Sequence, residues 1–484
     1  MTTTDLLNQL LEQAHIRPNL TEYLNREEYG DAELFAAMFA GKVVFDHAEK
    51  QWYLWDGALW APDQTGKVFT FVGNELAAEY LAAAEIERRN NNTDLSNQFV
   101  KRSKLLLHRN RIHNVLELAF NIPGLALKGN EWNTLPLLLP VSNGVINLTD
   151  GSFRKAVPTD YFRACVPTEW QGLDKPAPEW EHSLSVIFDA NRDTIAFMQR
   201  LFGYSITGDT KEQVLPILWG DGANGKSTLM DVISIVLGDD FCFSTQADSL
   251  MDLREGDGNA ARPFVHALRN KRLVWASESK EGRRLNAGLI KQLTGDRFIT
   301  ARALYGRPVT FKQVHKIFLV TNHCPRVPDG DDIALWRRIL LVAFRERFVD
   351  EPRLPHEHQR DRELLPRLLN ETAGILAWLV RGCLAWQEQG LNPPPSVLES
   401  TDQYHEDEDL IGHFIEDRLL DGEGLEASSS QVYKEYKAWC EEFGNRPTSS
   451  KALGQILTRR YGPAVVKRNG KKTERVYQGI GMSM

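Results

Sequence analysis

Eight consecutive residues, Gly220, Asp221, Gly222, Ala223, Asn224, Gly225, Lys226 and Ser227, fit the pattern glycine, four residues, glycine, lysine, serine or threonine. Glycines at that spacing let successive backbone N–H groups converge on one anion, and a helix N-terminus adds partial positive charge there. Lys226 is placed to reach the β- and γ-phosphates of a nucleotide, Ser227 to hold Mg²⁺, and Thr228 to close the cradle. The expected ligands are therefore ATP and Mg²⁺. Downstream, Arg272 to Glu278 reads R-L-V-W-A-S-E, an apolar run that ends in a carboxylate. Glu278 there could orient and deprotonate an attacking water and help hold the metal. Lys316 to Asn322, K-I-F-L-V-T-N, ends instead in an amide that could sense the γ-phosphate. Trp336-Arg337-Arg338 follows the acidic loop Asp329 to Asp332. Either arginine could serve as a finger on transferring phosphate, or could pair with those aspartates.

These residues need rigid positions, and the flanking sequence supplies them. Val214, Leu215, Ile217, Leu218 and Trp219 read as a buried strand before the loop; Leu229, Val232, Ile233, Val236 and Leu237 recur at helical spacing after it. Apolar runs at Leu273–Ala276 and Ile317–Thr321 predict further strands. Strands alternating with helices imply an α/β domain with a parallel sheet and its ligand at the C-terminal strand ends.

With 484 residues the chain is expected to hold several domains. We place boundaries at 1–178, 179–350, 351–395 and 396–484, using the proline-bearing stretches Asp174–Pro178 and Asn392–Pro395. The first domain reads as α+β. Helices are expected at Thr70–Glu87 and Leu95–Phe120. A hairpin is expected where aromatics alternate around Asp56-Gly57 in W-Y-L-W-D-G-A-L-W. Those rings suit the core of a small sheet better than a base-stacking surface. Asp46 and His47 read as structural. Single helices are expected at Trp180–Gly203, Leu364–Glu388 and Leu410–Phe443. At the C-terminus, Ser449–Tyr461 reads as a basic helix followed by two strands around Asn469-Gly470, a winged-helix-like arrangement.

The net charge of −8 gives no overall attraction to nucleic acid, so any binding must be local. One basic stretch comprises Lys280, Arg283, Arg284, Lys291, Arg297, Arg302, Arg307, Lys312 and Lys316, opposed only by Glu281 and Asp296. Within it Phe298 to Lys312 reads as a hairpin with Tyr305 and Arg307 at its tip, a stacking face beside a phosphate partner for single-stranded DNA. A second lies in the C-terminal segment at Arg459, Arg460, Lys467, Arg468, Lys471 and Lys472. Five scattered cysteines without C-x-x-C spacing point away from zinc and disulfides. No stretch reads as a signal peptide or membrane helix.

The stretches G-D-G-A-N-G-K-S, L-V-W-A-S-E-S-K-E-G-R-R-L, K-Q-L-T-G-D-R-F-I-T-A-R, L-V-T-N-H-C-P and L-W-R-R-I, in that order, resemble superfamily 3 helicases, a branch of the AAA+ ATPases. The resemblance is to the helicase part of phage and plasmid primase–helicases, which are related to the poxvirus primase–helicase. It implies a ring, usually hexameric, with ATP at subunit interfaces, single-stranded DNA in the channel and 3′-to-5′ movement on forked DNA. It carries Lys226 and Ser227 over as phosphate and Mg²⁺ residues, Glu278 as catalytic acid and Asn322 as sensor. Arg337 or Arg338 is then the finger, and Tyr305 and Arg307 lie at the pore hairpin. No clustered acidic ligands appear in the first 180 residues, so a helicase without primase is expected, with a separate primase as a candidate partner and a bacterial host's cytoplasm as the setting. A small-molecule kinase would share the phosphate loop but has no use for the basic hairpin. A DNA-binding ATPase switch that assembles without unwinding is the other reading.

Overall fold

The computed structural model describes residues 20–252, 263–277, 282–302, 308–327, 332–445, 447–469 and 472–483. Its organising element is a five-stranded sheet in the order Ile339–Ala343, Leu215–Trp219, Lys316–Thr321, Leu273–Ser277, Cys242–Gln246, with every pairing parallel. Parallel strands are covered on both faces and so read as continuous apolar runs; all six residues of Lys316–Thr321 are buried. The register sets Trp219 opposite Thr321 and Ser277 opposite Val320. Three neighbouring strands therefore end at one level, where Gly220 and Asn322 begin their loops.

Two expected long helices are broken in the structure. Trp180–Gly203 is split into Pro178–Ile187 and Arg192–Ser205, separated by Asp189 and Ala190 at φ of 47° and 53°. Asn191 then caps the second helix by accepting the Thr194 N–H at 3.0 Å. Leu364–Glu388 divides into Leu364–Leu369 and Thr372–Gln389. The break frees the Glu371 carboxylate to accept the N–H groups of Glu179 and Trp180 at 3.1 and 3.0 Å. A side chain 190 residues downstream thus caps the helix that starts the central body.

One hydrophobic core crosses the expected boundaries at 178 and 350. Leu139, Ile146 and Trp170 share it with Trp180, Leu218, Ile233, Phe318, Trp378 and Trp386. At the sheet's N-terminal edge two buried cations seal this junction. Arg272 donates to the carbonyls of Ile206 at 2.6 Å and Leu138 at 2.7 Å, and Lys316 donates to Val314 at 3.1 Å and to Thr207. Burial lowers both pKa values, that of Arg272 to about 10. The expectation that Lys316 belongs to a DNA-facing basic stretch is corrected: the residue is only 5% exposed and its amine is spent on the Thr207 and Val314 carbonyls. Replacing Arg272 with leucine leaves two buried carbonyls without donors, at about 1–3 kcal/mol each. We expect the melting temperature to fall by several degrees; an unchanged transition would show that other donors fill in.

In the N-terminal region a four-stranded sheet, Trp60–Pro62, Gln51–Trp55, Val43–Asp46, Ala126–Leu127, turns at Asp56-Gly57 with Trp55 opposite Trp60. Tyr53 and Trp60 are each 1% exposed, so these rings are core. Asp46 accepts from the N–H groups of Ala48 and Glu49 and from Trp132 Nε1, which makes it a structural carboxylate. The expected Leu95–Phe120 helix bends at residues 106–108 into Thr93–Leu105 and Arg109–Ala119.

The C-terminal unit runs helix Leu410–Arg418, strand Leu419–Ser428, helices Ser429–Glu442 and Ser450–Tyr461, then hairpin Val465–Asn469 and Lys472–Met482. Its sheet order is first strand, last strand, middle strand, all antiparallel. A continuous helix over Leu410–Phe443 was expected. The strand inside it starts at Leu419 and carries Gly422 and Gly424, poor helix formers, where its register shifts between Asp421 and Glu426.

Candidate active site

The phosphate loop joins the second strand of the sheet to helix Lys226–Leu237, as its pattern requires. The loop can close only around glycine: a Cβ on Gly220 would sit 2.4 Å from the Phe344 carbonyl oxygen. Gly222, at φ 96°, has only the Asn322 Nδ2 within 4 Å of its absent Cβ, so a side chain there would enter the cradle. Ala223 takes a left-handed φ of 49°, and its carbonyl accepts the Phe348 N–H at 2.6 Å.

Lys226 is 4% exposed, and among the described residues its ammonium donates to neutral acceptors: Gly220 O at 2.7 Å, Asn224 Oδ1 at 2.8 Å and Asn322 Oδ1 at 3.2 Å. Burial lowers its pKa to about 8, with the Asp221 charge opposing that shift. A buried cation hydrogen-bonded, among the described residues, to neutral oxygens is a group arranged for an anionic ligand. The structure places Asn322 against Lys226. Asn224 is an addition: only 3% exposed, it accepts from Lys226 while donating to Phe344 O at 3.4 Å. The sequence marked it only as a loop position.

A cleft of about 330 Å³ opens here, lined by Gly222 to Thr228 together with Ser277, Val320, Thr321 and Asn322. Exposed Ser227 presents its hydroxyl to this cleft. Glu278, the expected acid and second metal residue, lies outside the described residues, directly after Ser277. The loop, the Ser227 hydroxyl and the Lys226 ammonium are residue types that fit a nucleotide's phosphates with Mg²⁺. A second cavity of about 520 Å³ shares Ala223, Gly225 and Thr228 with the first and is floored by Ile187, Leu229 and Phe348. Its apolar walls and size suit a nucleoside. No local motif announced it, because helix Pro178–Ile187, strand Arg347–Val349 and helix Leu364–Leu369 all contribute.

The two candidate arginines are separated by burial. Arg337 is exposed, whereas Arg338 is 7% exposed and donates to Thr294 Oγ1 at 3.0 Å and to the Ala334 carbonyl. Neither lines the phosphate cleft of its own chain. Asp332 pairs with Lys291 rather than with either arginine.

The hairpin forms as Phe298–Ala301 against Val309–Lys312, with Arg302 and Lys312 exposed at its ends. Tyr305 and Arg307 lie outside the described residues. Arg283 pairs with Asp248 at 3.2 Å, which removes another member of the basic stretch. In the C-terminal unit Arg459, Arg460 and Arg468 are exposed, while Lys467 is paired with Glu426. Lys471 and the Lys472 side chain lie outside the described residues. Among the described residues no helix is long and apolar enough to cross a membrane.

A parallel sheet with a phosphate loop at its centre defines the class of fold. The family description "D5 N terminal like" matches residues 32–189, "Family of unknown function (DUF5906)" residues 218–338 and "Poxvirus D5 protein-like" residues 406–478. The chain is similar to "Putative helicase L207/L206" of Acanthamoeba polyphaga mimivirus, 27% identical over 62% of this chain and 33% of that protein. It is 28% identical to "Uncoating factor OPG117" of vaccinia virus, over 47% of this chain and 30% of that one. It is also 21% identical to "Putative helicase 121R" of invertebrate iridescent virus 3, over 84% and 49%. The NrS-1 C-terminal region in its A-form apo structure aligns with 90% of this chain and 96% of its own, at 13% identity and a TM-score of 0.45. Two D5-like models thus match this chain, one near each end, and its relatives include putative helicases of large DNA viruses. The chain spans about a third of the length of the first of these relatives.

Proposed function

We propose that this chain is an ATP-driven replicative DNA helicase of the AAA+ class, acting as a ring around single-stranded DNA and moving 3′ to 5′. The observation that carries this reading is the Lys226 ammonium, buried and held among the described residues by neutral acceptors between the phosphate loop and Asn322. Bound Mg²⁺ would neutralise charge on the β- and γ-phosphates. Lys226 and the loop N–H groups would position the phosphates, and Ser227 with Glu278 would hold the metal. Glu278 would take the proton of the attacking water, and Asn322 would orient the γ-phosphate or that water. The finger would come from a neighbouring subunit, since neither arginine reaches its own cleft. Arg302, Tyr305, Arg307 and Lys312 would grip the strand in the channel. The C-terminal unit has the element order of a winged helix, and Arg459, Arg460, Lys467, Arg468, Lys471 and Lys472 would meet duplex. Replication of a phage, plasmid or integrated element, with a separate primase, is the setting we favour.

Electron microscopy of the protein with forked DNA and a non-hydrolysable ATP analogue tests ring, channel and interface together, alongside an unwinding assay. We expect closed rings with one strand threaded, and separation that needs ATP. DNA-stimulated hydrolysis without strand separation would replace the helicase by an ATPase switch.

A further inference from the structure

Helix Pro395–Glu408 leads directly into the C-terminal unit: Asp409 follows it and caps the next helix by accepting the Gly412 N–H at 2.8 Å. Its inner face is spent on the segments that serve the phosphate cleft. Tyr404, 4% exposed, donates its hydroxyl to the Pro325 carbonyl. Glu408 uses both carboxylate oxygens, accepting the Val327 N–H at 2.9 Å and Arg326 Nη1 at 2.9 Å. Pro325, Arg326 and Val327 belong to the loop that starts at Asn322. That loop is pinned from its other side as well. The Arg326 N–H donates to the Arg283 carbonyl at 2.7 Å, and the Leu285 N–H donates to the Arg326 carbonyl at 2.9 Å. Residues 283–285 follow the carboxylate motif in sequence. Trp336, which precedes the exposed Arg337, packs its ring against Tyr404 and His405 at centroid distances of 5.2 and 4.3 Å.

Two turns of one helix therefore touch the loop after the amide, reach the segment after the acid motif through Arg326, and support the residue before the finger candidate. One residue later the chain enters the C-terminal unit. Bonds of 2.9 Å tolerate little displacement; a shift of the helix by one residue's rise, about 1.5 Å, would break the Glu408 and Tyr404 contacts or carry the loop along. A cavity of about 760 Å³, lined among others by Asp221, Asn322, Arg345 and Glu399, lies between the helix and the phosphate loop; the loop 322–327 links them directly, and the Leu341 N–H, donating to Thr401 Oγ1 at 2.9 Å, ties the helix to the neighbouring strand.

We propose that Tyr404 and Glu408 are positioning residues: they hold Asn322 in register with the C-terminal unit, so that DNA bound by that unit changes the rate of hydrolysis. This rests on the ATPase reading given above. The test uses the full chain with two changes made separately, Tyr404→Phe and insertion of Gly-Ser-Gly-Ser between Glu408 and Asp409. The first removes one hydroxyl; the second spares the Tyr404 and Glu408 side-chain contacts and loosens the link, losing the Asp409 N–H bond to the Glu406 carbonyl. Steady-state ATPase is measured with and without forked DNA, with DNA affinity measured in parallel. Coupling between sites is typically about 5- to 150-fold. We expect basal kcat and KM for ATP within about twofold of the unsubstituted chain, unchanged DNA affinity, and stimulation by DNA reduced at least about fivefold in both variants. Full stimulation in both would overturn the proposal. So would a basal rate that falls in step with the stimulated one, because the contacts would then be merely structural. No ATPase in the unsubstituted chain would instead refute the proposed function.

Discussion

Replacing Lys226 with alanine is expected to lower ATP hydrolysis by at least about 10²–10³-fold, the typical loss when one preorganised donor to developing charge is removed. The fold should survive. Lys226 is a buried cation whose partners among the described residues are Gly220 O, Asn224 Oδ1 and Asn322 Oδ1, so its removal relieves a desolvated charge as it deletes three hydrogen bonds. The same burial gives a pH signature. In the free protein the pKa stands at about 8, below the usual lysine value. A bound phosphate favours the charged amine and raises that pKa again. Above about pH 8 binding must then take up a proton, and affinity should fall by up to ~10-fold per pH unit. Below pH 8 the lysine is already charged, and this dependence vanishes. Titration calorimetry at pH 9 in two buffers of different ionisation enthalpy measures the uptake directly. Lys226→Arg should abolish it. Binding at pH 9 without proton uptake would show that Lys226 does not meet the phosphates, and wild-type turnover in Lys226→Ala would remove it from the site.

The site was legible where its chemistry is local. The phosphate loop, the strand before it and the helix after it lie within about 25 residues, and the amide at Asn322 closes a strand whose apolar run is unbroken. Parallel strands buried on both faces announce themselves, which is why the sheet could be anticipated. What escaped depends on partners distant in sequence. Asp189 and Ala190 break a helix through backbone conformation that no residue type forces. Glu371 looks like one more acid on a helix until it caps Glu179 and Trp180. The nucleoside-sized cavity draws on segments far apart in sequence, from Glu179 to Leu368. Charge was the least faithful guide: Lys316, Lys291 and Arg283 read alike with Arg302 and Lys312. Yet one is buried under carbonyls and two are paired with aspartates. Sequence composition counts charges, and only packing shows which of them face solvent.

Adjacent arginines are the sharpest case of that distinction, and their separation predicts opposite phenotypes. Arg338 is built into the fold, with Nε on Thr294 Oγ1 at 3.0 Å and Nη1 on the Ala334 carbonyl. Alanine there should destabilise the protein by about 1–3 kcal/mol through the buried groups left unpaired, read as a lower melting temperature. Arg337 is exposed, and Trp336 beside it is anchored on Tyr404 and His405. An exposed guanidinium on an anchored turn, outside its own cleft, suits action on a neighbour's nucleotide. Arg337→Ala should therefore leave the melting temperature unchanged and reduce turnover by about 10³–10⁵-fold, the typical worth of an arginine finger. Because the defect would lie across an interface, mixing Arg337→Ala with Lys226→Ala should restore part of the activity: some interfaces would pair an intact finger with an intact loop. Arg338→Ala mixed in the same way should gain nothing beyond dilution. If rings shown to be mixed recover no hydrolysis, Arg337 does not act in trans. If instead Arg338→Ala folds normally and loses turnover while Arg337→Ala is silent, the finger is Arg338, and its hydrogen bonds to Thr294 and Ala334 must break when subunits assemble.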